Sequence, residues 1–164
     1  MRKVFITGGA GFIGCNTAAY FSKKCDEVTI LDNFSRDGTR ENAEWLMSEC
    51  PNVKVIEGDI RDAAALEKAI LGAEVVIHLA AQVAVTTSVT DPKNDFDINA
   101  LGSFNVVEAC RKLNPMPIVL YASTNKVYGG MEDAKIVERD GRYGYESLAT
   151  GVSEERGLDF HSPY

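Results

Sequence analysis

Glycines at positions 8, 9, 11 and 14 crowd the run Thr7-Gly8-Gly9-Ala10-Gly11-Phe12-Ile13-Gly14, and a carboxylate, Asp32, follows 21 residues after Gly11. Gly9, Gly11 and Gly14 fit the pattern G-x-G-x-x-G. Where such a run joins a strand to a helix, the first glycine permits a tight turn and the second lets backbone approach a pyrophosphate. The third lets the helix pack closely on the strand. The unpaired N–H groups at the helix start then face phosphate oxygens. Contacts to such a ligand are expected at Gly8, Gly11, Phe12, Ile13 and Gly14. A carboxylate placed as Asp32 is accepts hydrogen bonds from ribose hydroxyls and repels a 2′-phosphate, so the expected dinucleotide is NAD rather than NADP. Arg36 lies close enough in sequence to pair with a 2′-phosphate and is the feature that argues for NADP.

Other residues carry weaker signals. Asp59 suits a position near an adenine, or equally a turn carboxylate at a helix start. His78 sits in an apolar run, where a hydrogen-bonded core histidine is the ordinary reading. Ala80, Ala81 and Gln82 follow it, and the small side chains allow close approach of a ligand to backbone. Cys15, Cys25, Cys50 and Cys110 form no C-x-x-C pair, and His78 and His161 are the only imidazoles, so no metal site is expected.

These residues need elements to hold them. Residues 3–7 read as a strand, 12–24 as a helix, and Val28, Ile30 and Leu31 as a second strand ending at Asp32 and Asn33. A helix over 40–49, stopped near Pro51, precedes a third strand over 53–57. Asp62 caps a helix over 63–70, which Gly72 ends. Residues 74–80 form a nearly all-apolar strand, as expected of a strand covered on both faces, and residues 118–122 form a fifth strand, again almost wholly apolar. A long helix lies within 93–113. Beyond residue 124 the glycines at 129, 130, 141, 144, 151 and 157 break up a charged stretch, which reads as irregular. Strands alternating with helices imply an α/β, Rossmann-like, doubly wound parallel sheet, with ligands at the carboxyl ends of the strands.

The chain has 164 residues and a net charge of −7, enough for one domain with a core. A sequence pI near 4.9 disfavours binding to nucleic acid or to an anionic membrane. No apolar run reaches the length of a membrane span, so a cytoplasmic protein is expected.

Taken together, these pieces resemble the extended short-chain dehydrogenase/reductase family of nucleotide-sugar epimerases and dehydratases. The likeness is carried by the glycine run, Asp32-Asn33, Gly58-Asp59-Ile60, His78-Leu79-Ala80-Ala81, Asn99 with Gly102, and Val127-Tyr128-Gly129. It implies cofactor contacts at Asp32, Asn33, Asp59, Ile60, Leu79, Ala80, Ala81 and Asn99, and a catalytic pair in Thr124 and Tyr164. It further implies that residues 1–164 are the N-terminal part of an NAD-binding domain. The last strands, a substrate-binding domain and the lysine of a Tyr-x-x-x-Lys pattern then lie outside the chain, and the sheet is incomplete at its C-terminal end.

Within the family, Gln82-Val83-Ala84, Thr86-Thr87-Ser88, the stretch Ser123 to Gly129 and the run Leu158 to Tyr164 are most like members that invert C2 of a CDP-linked dideoxy sugar through a 2-keto intermediate. Tyr164 then takes the hydroxyl proton while hydride passes to the nicotinamide and returns to the other face. A phenol ionises near about pH 10, so this role needs a neighbouring positive charge. Without the lysine, the chain by itself is expected to bind NAD weakly and to epimerise nothing measurable. Asn125 and Lys126 stand where dehydratases and decarboxylases of the family carry acidic groups, which favours an epimerase. The alternatives are another nucleotide-sugar epimerase, such as one inverting C4 of UDP-glucose, and a non-catalytic NAD-binding module. The family also implies a homodimer.

Overall fold

The computed structural model describes residues 2–148 and 150–164. They form two compact units, residues 2–122 with Tyr164, and residues 123–163.

The first unit alternates strand and helix: β1 (Lys3–Thr7), α1 (Phe12–Ser22), β2 (Glu27–Asp32), α2 (Thr39–Glu49), β3 (Val53–Glu57), α3 (Ala63–Ala69) and β4 (Val75–His78). Then come α4 (Val85–Thr90), α5 (Pro92–Phe96), a π-helical segment over Asp97–Gly102, α6 (Ser103–Arg111) and β5 (Ile118–Tyr121). The five strands are parallel in the order β3-β2-β1-β4-β5, with β1 at the centre. This is the Rossmann-like doubly wound order, whose complete form has a further strand beyond β5.

Strand alternation builds two cores. Val4, Ile6, Val28 and Ile30 point to one face and pack with Cys15 and Ala18 of α1 and Ala43, Leu46 and Cys50 on the α2 side. Phe5, Leu31 and Val76 point to the other and pack with Leu66 of α3 and Val106, Ala109 and Cys110 of α6. Each fully buried Ile, Leu or Phe contributes about 1.5–3 kcal/mol relative to exposure. Asp62 caps α3 by accepting the Ala65 N–H at 3.0 Å.

Several boundaries differ from those expected. The helix expected over 12–24 ends at Ser22, and the strand expected over 74–80 is only Val75–His78. Residues 79–84 leave the sheet as a loop, because β5 pairs with β4 no further than His78. The single helix expected within 93–113 is a helical run interrupted by the π segment. There Gly102 lies so close to Ile60 that an added Cβ would come within 2.5 Å of its Cδ1. Helix α4 has no counterpart among the expected elements: Val85-Thr86-Thr87-Ser88-Val89-Thr90 is rich in β-branched residues of low helix propensity.

The second unit is not irregular throughout. A 3₁₀ turn covers Asn125–Tyr128, and β6 (Ile136–Arg139) pairs antiparallel with β7 (Arg142–Tyr145). Asp140 and Gly141 make the hairpin turn with φ of 52° and 73°. Positive φ at both central residues is the two-residue turn that Asp-Gly favours.

Candidate functional site at the carboxyl edge of the sheet

β1, β2 and β4 end in register at Thr7, Leu31-Asp32 and His78, so the residues that follow them meet at one edge. Gly8 and Gly9 donate their N–H groups to the Leu31 carbonyl at 2.8 and 3.4 Å. Gly8 has a φ of +67°, and a Cβ on it would lie 2.7 Å from the Ala80 nitrogen. A Cβ on Gly9 would enter the Ile30 side chain, and one on Gly14 would strike the Gly8 carbonyl. The division of labour therefore differs from the one expected. Gly8, not Gly9, supplies the left-handed turn, and Gly9 lets the turn lie flat on β2 with its amide directed into the sheet. An added Cβ on Gly11 meets only the Gly8 oxygen, at 3.3 Å.

Helix α1 starts without a side-chain cap and without an acidic residue in its first turn. Its first bond runs from the Cys15 N–H to the Gly11 carbonyl at 2.8 Å, so the amides of Phe12, Ile13 and Gly14 precede the helical ladder. Positive partial charge at this end attracts anions. The side chains of Phe12 and Ile13 are exposed beside it, at 83% and 66%.

Asp32 closes on the turn. Its Oδ2 accepts the Ala10 N–H at 3.0 Å and its Oδ1 accepts the Phe34 N–H at 3.0 Å. Asn42 of α2 donates from Nδ2 to the Ala10 carbonyl at 2.8 Å, so the Ala10 residue is held at both polar groups. A carboxylate has about four acceptor positions, which leaves Asp32 capacity for a hydroxyl. Asn33 donates to Asp59 Oδ2 at 3.0 Å. Arg61 donates to Asp59 from its backbone, Nε and a terminal nitrogen at 2.9, 2.9 and 2.6 Å. The Arg61 guanidinium holds the Asp59 carboxyl far below the ordinary carboxylate range. Ile60 is buried in the core at 4% exposure, so its side chain is a packing group, and its carbonyl accepts from Asn105 Nδ2 at 3.0 Å. Arg36 is exposed, with no ion-pair partner among the described residues.

The loop after β4 is suspended from the long helical run. Asn99 Oδ1 accepts the Gln82 N–H at 2.8 Å, and its Nδ2 donates to the Gln82 carbonyl at 3.0 Å and to Asp95 Oδ1 at 3.2 Å. Gln82 Nε2 donates to the same Asp95 oxygen at 2.9 Å. Asn99 thus commits its amide to this loop. Replacing Asn99 by alanine leaves the Gln82 N–H without its acceptor and is expected to lower stability by about 1–3 kcal/mol, read from the urea midpoint. At the other end of the loop, the buried His78 ring contacts Thr7 Oγ1 at 2.6 Å and Ser103 Oγ at 2.9 Å. Burial lowers the His78 pKa to about 4. Leu79 and Ala80 are half-buried and Ala81 is exposed.

Thr124 and Tyr164 fall in different units. Thr124 is half-buried and its Oγ1 accepts the Lys126 N–H at 3.2 Å, opening the 3₁₀ turn. Tyr164 is half-buried. In the second unit, Gly129 has φ +62° and lies against Asp159, whose carboxylate meets His161 Nε2 at 2.7 Å.

Thr7, Asn42, Asp95 and Ser103 hold the site together and lie outside the residues expected to form it. The spacing of Asp95 and Asn99, one helical turn apart, is a usable signal in the sequence; for Asn42 none exists. Among the described residues no group of three or more His, Cys, Asp or Glu could hold a metal ion, and no helix is long and apolar enough to cross a membrane.

Residues 5–146 match the family model of GDP-mannose 4,6 dehydratase. The chain is 41% identical over 164 residues to the CDP-paratose 2-epimerase of Salmonella typhi, covering 99% of this chain and 48% of that protein. It is 36% identical over 142 residues to UDP-glucuronate 4-epimerase 3 of Arabidopsis thaliana, covering 84% of this chain and 33% of that one. Among solved structures, the UDP-glucose 4-epimerase of Thermus thermophilus in complex with NAD superposes with a TM-score of 0.76 at 32% identity, covering 99% of this chain and 46% of that one. The chain therefore spans less than half the length of the relatives it matches.

Proposed function

This chain belongs to the extended short-chain dehydrogenase/reductase family of NAD-dependent epimerases and dehydratases, and on that premise we propose that residues 1–164 form the NAD-binding part of a nucleotide-sugar epimerase. The observation that carries the cofactor reading is the Asp32 carboxylate fastened to the Ala10 amide of the glycine turn. It sets an anion on the turn that would receive phosphates, and leaves it capacity to grip ribose hydroxyls. The residues fit the group in two further respects. The amides of Phe12 and Ile13 have no acceptor among the described residues, and the lack of a Cβ on Gly8 lets the Leu79–Ala80 backbone lie directly against the turn. In this reading Gly8, Gly11, Phe12, Ile13 and Gly14 face the phosphates, Asp32 and Asn33 the ribose, and Asp59 and the Ile60 backbone the adenine. Leu79, Ala80 and Ala81 line the path of the cofactor, and Asn99 acts through Gln82.

When bound, NAD supplies reversible hydride acceptance, and the chain supplies placement and proton handling. Tyr164 is the phenol that exchanges the sugar hydroxyl proton, and Thr124 the hydroxyl that hydrogen-bonds the sugar oxygen. The 41% identity to a CDP-paratose 2-epimerase favours C2 of a CDP-linked dideoxy sugar as substrate. Inversion at C4 of a UDP-sugar is the competing reading, supported by the 4-epimerases among the relatives. The reading includes a homodimer, for which the exposed Leu101, Phe104 and Val107 offer an apolar helix surface.

Calorimetric titration with NAD and NADP tests the cofactor. NAD is expected to bind more tightly, and Asp32→Ser to narrow the difference by about tenfold through loss of the ribose hydrogen bonds and of repulsion toward a 2′-phosphate. Tighter binding of NADP to the unmodified chain overturns the Asp32 argument. Incubating a form of the protein that spans the whole length of its relatives with CDP-paratose or with UDP-glucose, and reading the products by NMR, separates the two substrates.

A further inference from the structure

The buried contacts of His78 determine where its proton sits. The Thr7 hydroxyl accepts the Ala80 N–H at 3.2 Å and, at 3.3 Å, the Leu79 N–H, which it shares with the Thr7 carbonyl at 3.2 Å. A hydroxyl oxygen has two acceptor positions and one hydrogen. Both acceptor positions are used, so the contact of 2.6 Å to His78 Nδ1 is made by the Thr7 hydrogen. Nδ1 is then the acceptor, the proton of the neutral ring lies on Nε2, and Nε2 donates to Ser103 Oγ across 2.9 Å. The sequence of bonds runs one way, from Thr7 through His78 to Ser103, with two loop amides resting on Thr7.

We propose that Thr7, His78 and Ser103 form a directional hydrogen-bond relay that holds the Leu79–Ala80 backbone against the glycine turn, which makes His78 a positioning residue for the dinucleotide. The proposal rests on the cofactor reading above. Gly8 and Ala80 touch closely enough to exclude even a Cβ, so any drift of Ala80 changes the shape of the turn. The same helical run holds the far end of the loop through Asn99 and Gln82, and Asn99 and Ser103 are one turn apart at the π segment. A change in the helix at Ser103 is therefore felt at the phosphate turn, which Ser103 does not touch.

The tests use the whole chain. In ¹⁵N NMR of the unmodified protein, His78 is expected as the pure Nε2–H tautomer, a measurement that needs no variant to fold. Thr7→Val and Ser103→Ala are each expected to weaken NAD about three- to tenfold, as for loss of one hydrogen bond, while Thr7→Ser binds as the parent does. Combined, the two substitutions are expected to cost little more than Thr7→Val alone, because they break one relay. Contacts that act independently of one another would give additive losses in affinity. Additive losses, an Nδ1–H tautomer, or unchanged NAD affinity in folded Thr7→Val overturns the relay. A parent chain that binds no NAD while showing the Nε2–H tautomer overturns the cofactor reading, and the positioning role with it.

Discussion

Gly8→Ala is expected to lower the stability of the chain by about 2–5 kcal/mol and to abolish measurable NAD binding, because it combines backbone strain with a collision that cannot relax. The φ of +67° costs an L-residue roughly 1–2 kcal/mol. The added methyl would also meet the Ala80 nitrogen at 2.7 Å, the Ala80 Cα at 2.8 Å and the Leu79 carbonyl carbon at 3.0 Å. All three are backbone atoms, and the two amides are anchored on Thr7 Oγ1. Crowding of this kind costs about 1–3 kcal/mol. Gly38→Ala is the matching control. Gly38 has φ +81° with nothing within 4 Å of an added Cβ, so that change carries the strain alone. Urea midpoints of the two variants separate the contributions. If Gly8→Ala proves no more damaging than Gly38→Ala, the close contact of turn and loop is not what holds the site.

A second large effect concerns acid. His78 is kept neutral by burial, with a pKa near 4 against about 6.5 in an unfolded chain. The folded state binds fewer protons than the unfolded one between these values. Stability is therefore constant above about pH 6.5, falls as pH drops toward 4 and levels below that. A depression from 6.5 to about 4 is worth about 3 kcal/mol, a large part of the stability of a small domain. The relay gives the loss a structural meaning: a protonated Nδ1 would turn a donor toward the Thr7 hydroxyl, whose acceptor positions already serve Leu79 and Ala80. Urea midpoints at pH 7 and pH 4.5 are expected to differ accordingly, and His78→Gln to flatten the dependence in this window. Asp59 acts separately. Its carboxyl is held low by Arg61, so its contribution is present above its ordinary pKa and is lost as pH falls below that toward the folded value. A profile flat from pH 7 to 4.5 in the unmodified chain would show that the His78 ring is open to water.

The turn over Asp140 and Gly141 shows a signal present but unread. Asp-Gly between Ile136-Val137 and Arg142-Tyr143 carries hairpin chemistry, yet the charges around it hid the alternation. The π segment is a different matter. Nothing in Asp97 to Gly102 distinguishes it from ordinary helix; the close approach of Gly102 to Ile60 is visible only once α6 is packed on the sheet. The Ile60 side chain is core, a placement the motif does not reveal, because a motif names a position and burial assigns the side chain.

Residue order alone determined the alternation of strands and helices, the glycine turn and the carboxylate at the end of the second strand. Those depend on apolar period and on backbone sterics, which act over a few neighbouring residues. Only the tertiary structure decided which glycine takes the left-handed turn, that Asn99 holds a loop, and that Thr7, His78 and Ser103 share one line of hydrogen bonds. Thr7 and His78 are 71 residues apart, and His78 and Ser103 are 25 apart. The register of β1 on β4 and the seating of the long helix set those distances, and no local pattern encodes them.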